Sequence, residues 1–172
     1  MPDTSDYLTR IRELAAAKDP LTAQAQAPSL LADLIANISG ERLTTRPAPD
    51  KWSIGEILAH LAEDEIATAW RYRQMIEHSG IPLAGFDQDL WARLGNYPGR
   101  DPHDSLALFR LLRNANLEFL RTLSPEQWDR SGIHAERGRI TVRDLVTPMA
   151  GHDANHVQQI QTILSSTALK YL

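Results

Sequence analysis

Residues 142–164 read VRDLVTPMAGHDANHVQQIQTIL. At 100° per residue, Val142, Leu145, Val146, Met149, Ile160, Ile163 and Leu164 fall within about 50–60° of one direction, the signature of an amphipathic helix rather than a strand. His152 and His156 lie at the edge of that apolar stripe or inside it. Being four residues apart, they sit one above the other and project their rings into the same volume. Two imidazoles so placed share a metal in HExxH helices, but the segment here is His152-Asp153-Ala154-Asn155-His156, and the metalloprotease loses its general base. Six histidines scattered over 172 positions give roughly 0.2 such pairs by chance. The pair alone therefore leaves two readings open: metal ligands, or core histidines hydrogen-bonded to backbone or carboxylate. Pro148 lies inside the helix and predicts a kink or a broken first turn.

A metal site needs a third ligand, and His60 is the best candidate. It stands in Ile57-Leu58-Ala59-His60-Leu61, near the start of another apolar-periodic segment, and flanks its stripe beside Ile57 and Asp64. Metal sites in bundles are built from such inward edges of facing helices. Asp64, one turn on, is placed to accept the second ring N–H of His60 and fix its tautomer; Gln159 is the other residue expected to support the ligands. His78, His103 and His134 read as solvated, at a helix end, in a first turn and in a Gly-flanked loop. Arg71, Arg73, Arg110 and Arg113 read as solvated helix faces.

Helix caps divide the rest of the chain. Asp19-Pro20 and Asp101-Pro102 each put an acceptor ahead of a proline at the first helical position. Ser53-Ile54-Gly55-Glu56 and Ser124-Pro125-Glu126-Gln127 fit the capping box, and Thr141 is a weaker cap before Val142. Helices are expected over about 5–17, 21–39 (interrupted or bent at Pro28), 54–78, 102–122, a short stretch after Ser124, and 142–165. More than half the chain should be helical, with no substantial sheet and with Trp52, Ile57, Leu61, Leu145, Met149 and Ile160 buried. Residues 41–51, with Pro47 and Pro49, read as a stiff extended crossing. The long connection from Gly80 to Asp101 is expected to pack Phe86 and Trp91 near the mouth of the histidine pocket, because loops of that length are usually functional or act as lids.

Composition sets the outer limits. A chain of 172 residues, 42% hydrophobic and 23% charged, fits one domain (1–172) with a core that needs no staples. A formal charge of -4 without a Lys/Arg run argues against nucleic acid as a partner. With no cysteine, any metal must be held by His and carboxylate, and any thiol chemistry must use an external thiol. The N-terminus lacks the pattern of a secretory signal and no apolar run is long enough for a membrane span, so a cytoplasmic protein is expected.

Two stretches carry a family resemblance. Lys51-Trp52-Ser53-Ile54-Gly55-Glu56-Ile57-Leu58-Ala59-His60-Leu61, followed at long range by Gly151-His152-Asp153-Ala154-Asn155-His156-Val157-Gln158-Gln159-Ile160, resembles the DinB/YfiT-like superfamily over roughly residues 28–164, including Trp128 and the turn from Ile133 to Gly138. The resemblance implies an all-α, up-down-down-up four-helix bundle with a long crossover. It implies a divalent metal, zinc or nickel, held by one early and two late histidines, which fall on His60, His152 and His156, and it implies a homodimer. Members include thiol-dependent transferases that use bacillithiol or mycothiol, a thiol-dependent maleylpyruvate isomerase, and proteins named as hydrolases. The expected function is therefore a metal-dependent thiol S-transferase acting on a small electrophile. A metal-dependent hydrolase and a non-catalytic metal-holding bundle in a stress or structural role are the alternatives.

Overall fold

The computed structural model describes residues 4–15 and 19–168. Its elements are α1 (Thr4–Ala15), α2 (Pro20–Ile35), α3 (Gly40–Thr44), α4 (Ile54–Glu77), β1 (Ile81–Pro82), α5 (Gln88–Leu94), a 3-10 turn at Tyr97–Gly99, α6 (Pro102–Arg121), α7 (Pro125–Trp128), β2 (Ser131–His134), β3 (Gly138–Thr141) and α8 (Val142–Ala168). Helix dominates the described residues, which places the chain in the all-α class. The last two residues of the expected first helix, Ala16 and Ala17, lie outside the described residues. Among those described, no helix is long and apolar enough to cross a membrane.

The caps act as their residue types dictate. Asp19 accepts from Thr22 N, Asp101 from His103 N and Asp104 N, and Ser53 and Ser124 close reciprocal capping boxes with Glu56 and Gln127. Thr141 Oγ1 accepts from Asp144 N while Asp144 Oδ2 accepts from Thr141 N, so the weakest cap closes as well.

Long helices α2, α4, α6 and α8 form the bundle, and side-chain pairs fix their directions. Gly55, at the start of α4, lies against Pro102 at the start of α6, and Glu65 further along α4 meets Arg113 on α6, so these two run parallel. Thr68 faces Met149, whereas His60, two turns earlier, faces His152, so α8 runs the opposite way to α4. Gln24 near the start of α2 reaches Val146 near the start of α8, and Arg42 just beyond α2 reaches Leu164, so α2 and α8 run together. The order is up-down-down-up. Because α4 and α6 are parallel, the connection between them must travel the length of the bundle.

Two apolar clusters fill the interior. One gathers Leu31, Ile35, Ile54, Ile57, Leu61, Phe109 and Ile160; the other gathers Tyr72, Met75, Leu120, Val142, Leu145 and Val146. Between them lies a buried polar layer of Gln24, Asp64, Glu65, Arg113, Asn116 and Asp153, together with His60 and His156. That layer carries the site.

A small three-stranded sheet is present where none of substance was expected: β2 and β3 form an antiparallel hairpin from Ser131↔Thr141 to His134↔Gly138, and β1 adds in parallel beside β2. Gly138 supplies the positive φ of 67° that the hairpin turn requires. Strands of two and four residues are too short to display an alternating pattern. Residues 40–44 are helical rather than extended. Pro28 does not interrupt α2, and α8 runs unbroken through Pro148. A proline inside a helix leaves the carbonyl four residues earlier without its donor. Here Arg113 donates to Gln24 O at 3.1 Å and Arg137 donates to Asp144 O at 3.0 Å, so both orphaned carbonyls are satisfied from outside their helices. Ile57, Leu61, Leu145, Met149 and Ile160 are buried as expected, but Trp52 is only half-buried, at the edge of the histidine pocket.

Candidate metal centre

His60 is brought from α4 and His152 and His156 from α8, and the three rings meet. His152 Nε2 lies 3.1 Å from His60 Nε2 and 3.2 Å from His156 Nε2. Three nitrogens arranged tetrahedrally about zinc at ~2.0–2.1 Å would be separated by about 3.3 Å, so the observed spacing suits a shared cation. At most one proton can lie between any two of these atoms, and the remaining lone pairs point at one another. This donor set fits a divalent ion, and among the described residues it is the group of three or more His, Asp or Glu side chains whose ligand atoms lie close enough to hold one.

Electrostatics prepare the rings. Burial holds His156 down to about 3 and His152 down to about 4, with the neighbouring His152 adding to the former shift and the Arg113 charge to the latter. Burial, and then the two neighbouring rings, hold His60 well below the ordinary histidine range. All three are therefore neutral near pH 7, the form in which imidazole ligates.

The surroundings fix the tautomers unequally. His156 Nδ1–H donates to Gln159 Oε1 at 2.9 Å, which leaves Nε2 with its lone pair free for the centre. Asp64 stands next to His152 rather than His60: Asp64 Oδ2 lies 3.7 Å from His152 Nδ1, outside hydrogen-bond range but close enough for charge to act. The expected His60–Asp64 pairing fails because His60 turns Nε2 toward α8 and leaves Nδ1 buried without a hydrogen-bond partner among the described residues. Burial and the adjacent Glu65 push Asp64 up to about 7. Trp52 packs on His60 with ring centroids 5.0 Å apart and closes one side of the cluster.

The cluster opens on a pocket of about 550 Å³ whose lining includes Tyr7, Lys51, Trp52, Asn155 and Gln159. From the long connection, Gln88 and Asp89 reach its mouth. The connection is pinned to α4 where Tyr97 Oη donates to Glu63 Oε2 at 3.0 Å and Arg100 pairs with Glu63. Phe86 and Trp91, expected at the mouth, pack on each other at 4.6 Å, with Arg71 over Phe86.

Sequence reasoning missed the support beneath the site. Asp153, which occupies the glutamate position of an HExxH motif, points away from the histidines into an ion pair with buried Arg113. Arg113 also donates to Glu65 Oε1 at 2.8 Å, and Asn116 Nδ2 donates to Glu65 Oε2 at 2.9 Å. Arg113 is 1% exposed and not on a solvated face. Its spacing carried the signal, since it stands four residues after Phe109 and four before Leu117 on the inward stripe of α6. Tyr7 gave no such signal, because α1 reaches the pocket only through tertiary packing on α8.

A parallel-and-antiparallel helical bundle with three convergent histidines at an open pocket defines a class of metal-binding bundle proteins. Residues 23–160 match the DinB superfamily, and the chain belongs to it. It is 26% identical over 136 residues to OB0782 of Oceanobacillus iheyensis, covering 79% of this chain and 78% of that protein. It is 23% identical over 136 residues to YfiT of Bacillus subtilis, covering 78% and 76%. Both relatives carry the name "putative metal-dependent hydrolase". The structure of YfiT, described as having an unusual four-helix bundle topology, superimposes with a TM-score of 0.80 at 21% identity, covering 87% of this chain and 86% of that one. The mycothiol-dependent maleylpyruvate isomerase shares the fold at a TM-score of 0.59 and 14% identity, covering 80% of this chain and 56% of that chain.

Proposed function

We propose that His60, His152 and His156 hold one divalent metal ion, zinc or nickel, and that the protein is a metal-dependent enzyme acting on a small molecule. The convergence of three neutral imidazoles on one point beside an open pocket carries this reading. A structural zinc site is closed by four protein ligands, whereas three ligands next to a cavity leave a position for substrate. A bound ion would supply Lewis acidity and lower the pKa of a thiol or water brought to it. The chain's own residues do the rest. Gln159 holds the His156 ring, Trp52 screens His60 from solvent, and Tyr7, Lys51 and Asn155 offer donors to a substrate in the pocket.

Transfer of an external thiol to an electrophile is the first reading. The chain has no cysteine to serve as nucleophile, and the isomerase that shares its fold is mycothiol-dependent. Hydrolysis is the second, favoured by the names of the relatives. A homodimer belongs to the same proposal, and sedimentation at micromolar concentration checks it. The activity test loads the protein with zinc or nickel and offers a panel of low-molecular-weight thiols with a model electrophile, beside a panel of ester and amide substrates. Metal-dependent consumption of thiol supports transfer, and metal-dependent cleavage without thiol supports hydrolysis. Metal binding with neither activity leaves the non-catalytic role.

A further inference from the structure

Away from the histidines, a second cavity of about 670 Å³ is lined by four arginines: Arg12 of α1, Arg137 and Arg139 of the β2–β3 hairpin, and Arg143 of α8. Among the described residues Asp144 is the one acidic residue in its lining, and both Thr141 N and Thr141 Oγ1 already donate to its carboxylate. Arg143 is paired with Asp129, so three guanidinium groups face one engaged carboxylate and leave a positive excess in a concave space. That is unusual in a chain of net charge -4.

We propose that this cavity binds the phosphate group of a small anionic molecule. Like charges gathered from three elements into one concave space attract an anion even where solvent reaches them, and among the described residues no side-chain partner engages two of these groups. The side chains of Arg12 and Arg139 make no hydrogen bond or ion pair among the described residues. The other two are held in place. Arg137 donates to Asp144 O at 3.0 Å, while Arg143 Nε donates to Asp129 Oδ1 at 3.3 Å and its guanidinium lies over the Trp128 ring. Two fixed and two unengaged guanidinium groups suit a phosphate, whose oxygens accept bidentate pairs from arginine forks. Burial and then the nearby Arg12 hold Arg137 below the usual guanidinium range, although the Asp144 carboxylate acts in the opposite sense. Thr147 adds a hydroxyl to the lining. A concave site on an acidic protein favours a small soluble phosphate over a nucleic acid or a membrane, which recognise extended basic surfaces. The proposal stands apart from the metal reading, although Pro148 in this lining is only about 6 Å along α8 from His152.

Isothermal titration calorimetry of the full chain with pyrophosphate tests it. Wild type is expected to bind one equivalent saturably, the R12Q/R139Q double variant at least tenfold more weakly, and the exposed control R110Q like wild type. H156A, which opens the histidine cluster, is expected to keep pyrophosphate binding and so separates the two sites. Absence of saturable binding in wild type overturns the proposal. So does equal binding by R12Q/R139Q, or loss of binding in H156A. Binding of duplex DNA or of phosphatidic acid vesicles without binding of pyrophosphate also overturns it, in favour of a macromolecular surface.

Discussion

Arg113 and Asp153 form an ion pair whose side chains are 1% and 3% exposed, on the face of α8 that turns away from His152 and His156. Asp153 follows His152 directly and precedes His156 by three residues, so this pair sets the rotation of the helix that presents both rings. Glu65, Asn116 and the carbonyl of Gln24 complete the network. Removing the cation leaves two buried carboxylates unpaired, a change that costs about 3–5 kcal/mol. Arg113→Ala should therefore lower the urea midpoint sharply. Adding Glu65→Gln and Asp153→Asn to it should recover part of the loss. Equal stability of R113A and wild type would contradict the network's role.

Gly151 brings α1 onto α8. A Cβ at this position would lie 1.9 Å from the carbonyl oxygen of Ile11, a backbone atom that cannot move without the helix. Gly151→Ala should displace α1 and with it Tyr7 from the pocket, while the bundle of α2, α4, α6 and α8 survives. Hydrogen exchange read by mass spectrometry checks this. Residues 4–15 should lose protection while residues 54–77 keep theirs.

The acidity of the clustered histidines sets a pH profile. His152 and His156 titrate near 4 and 3 when folded, against about 6.5 when unfolded. Neutral rings favour the folded state, so their contribution is complete above about pH 6.5 and is lost as pH falls through about 4. Asp64, raised to about 7, acts in the opposite sense, and its contribution is lost as pH rises through that value. Burial raises Asp153 in the same sense, but three rings outweigh two carboxyls, so the metal-free protein should become less stable between pH 6.5 and 4. Within the folded protein, zinc affinity should change little from pH 7 to 5.5 and fall steeply near 4. A midpoint for metal release at about 6.5 in folded protein, followed by competition with a chromophoric chelator, would contradict the burial argument.

Much of this arrangement was legible in the residues, and the losses have physical reasons. Asp19, Ser53, Asp101 and Ser124 act within a single turn, so their caps and the helices they start can be read locally. The i,i+4 spacing of His152 and His156 is equally local. The convergence of His60 on them depends on two helices packing and became readable through the resemblance. Pairing of Ile81 with Gly132 joins residues far apart in the chain through strands too short to show a period, so the sheet could not be read. Continuity through Pro28 depends on Arg113 from another helix, and no local rule anticipates that compensation. Helical spacing gives the neighbour of Asp64 on α4, His60, and not the ring of His152 that α8 presents to it.

Gln159 is the one side chain that hydrogen-bonds a ring Nδ1 of the cluster among the described residues. Its removal should lower metal affinity about 10–100-fold, the usual effect of losing such a partner. Gln159→Leu is the direct test and Gln159→Glu, which keeps the acceptor, should recover most of the affinity. Asp64→Asn, acting across 3.7 Å, should have a smaller effect. An unchanged zinc affinity in Q159L would show that the His156 tautomer is fixed some other way.

The central claim is that His60, His152 and His156 together hold one metal ion, and metal stoichiometry tests it most directly. Wild type and the H60A, H152A and H156A variants are each loaded with zinc or nickel, passed through a desalting column and assayed by plasma mass spectrometry, with circular dichroism to establish that each variant keeps its helices. One ion per chain is expected in wild type and none retained by any folded variant. Retention of one tightly bound ion by all three variants, or failure of wild type to take up either metal, would contradict it.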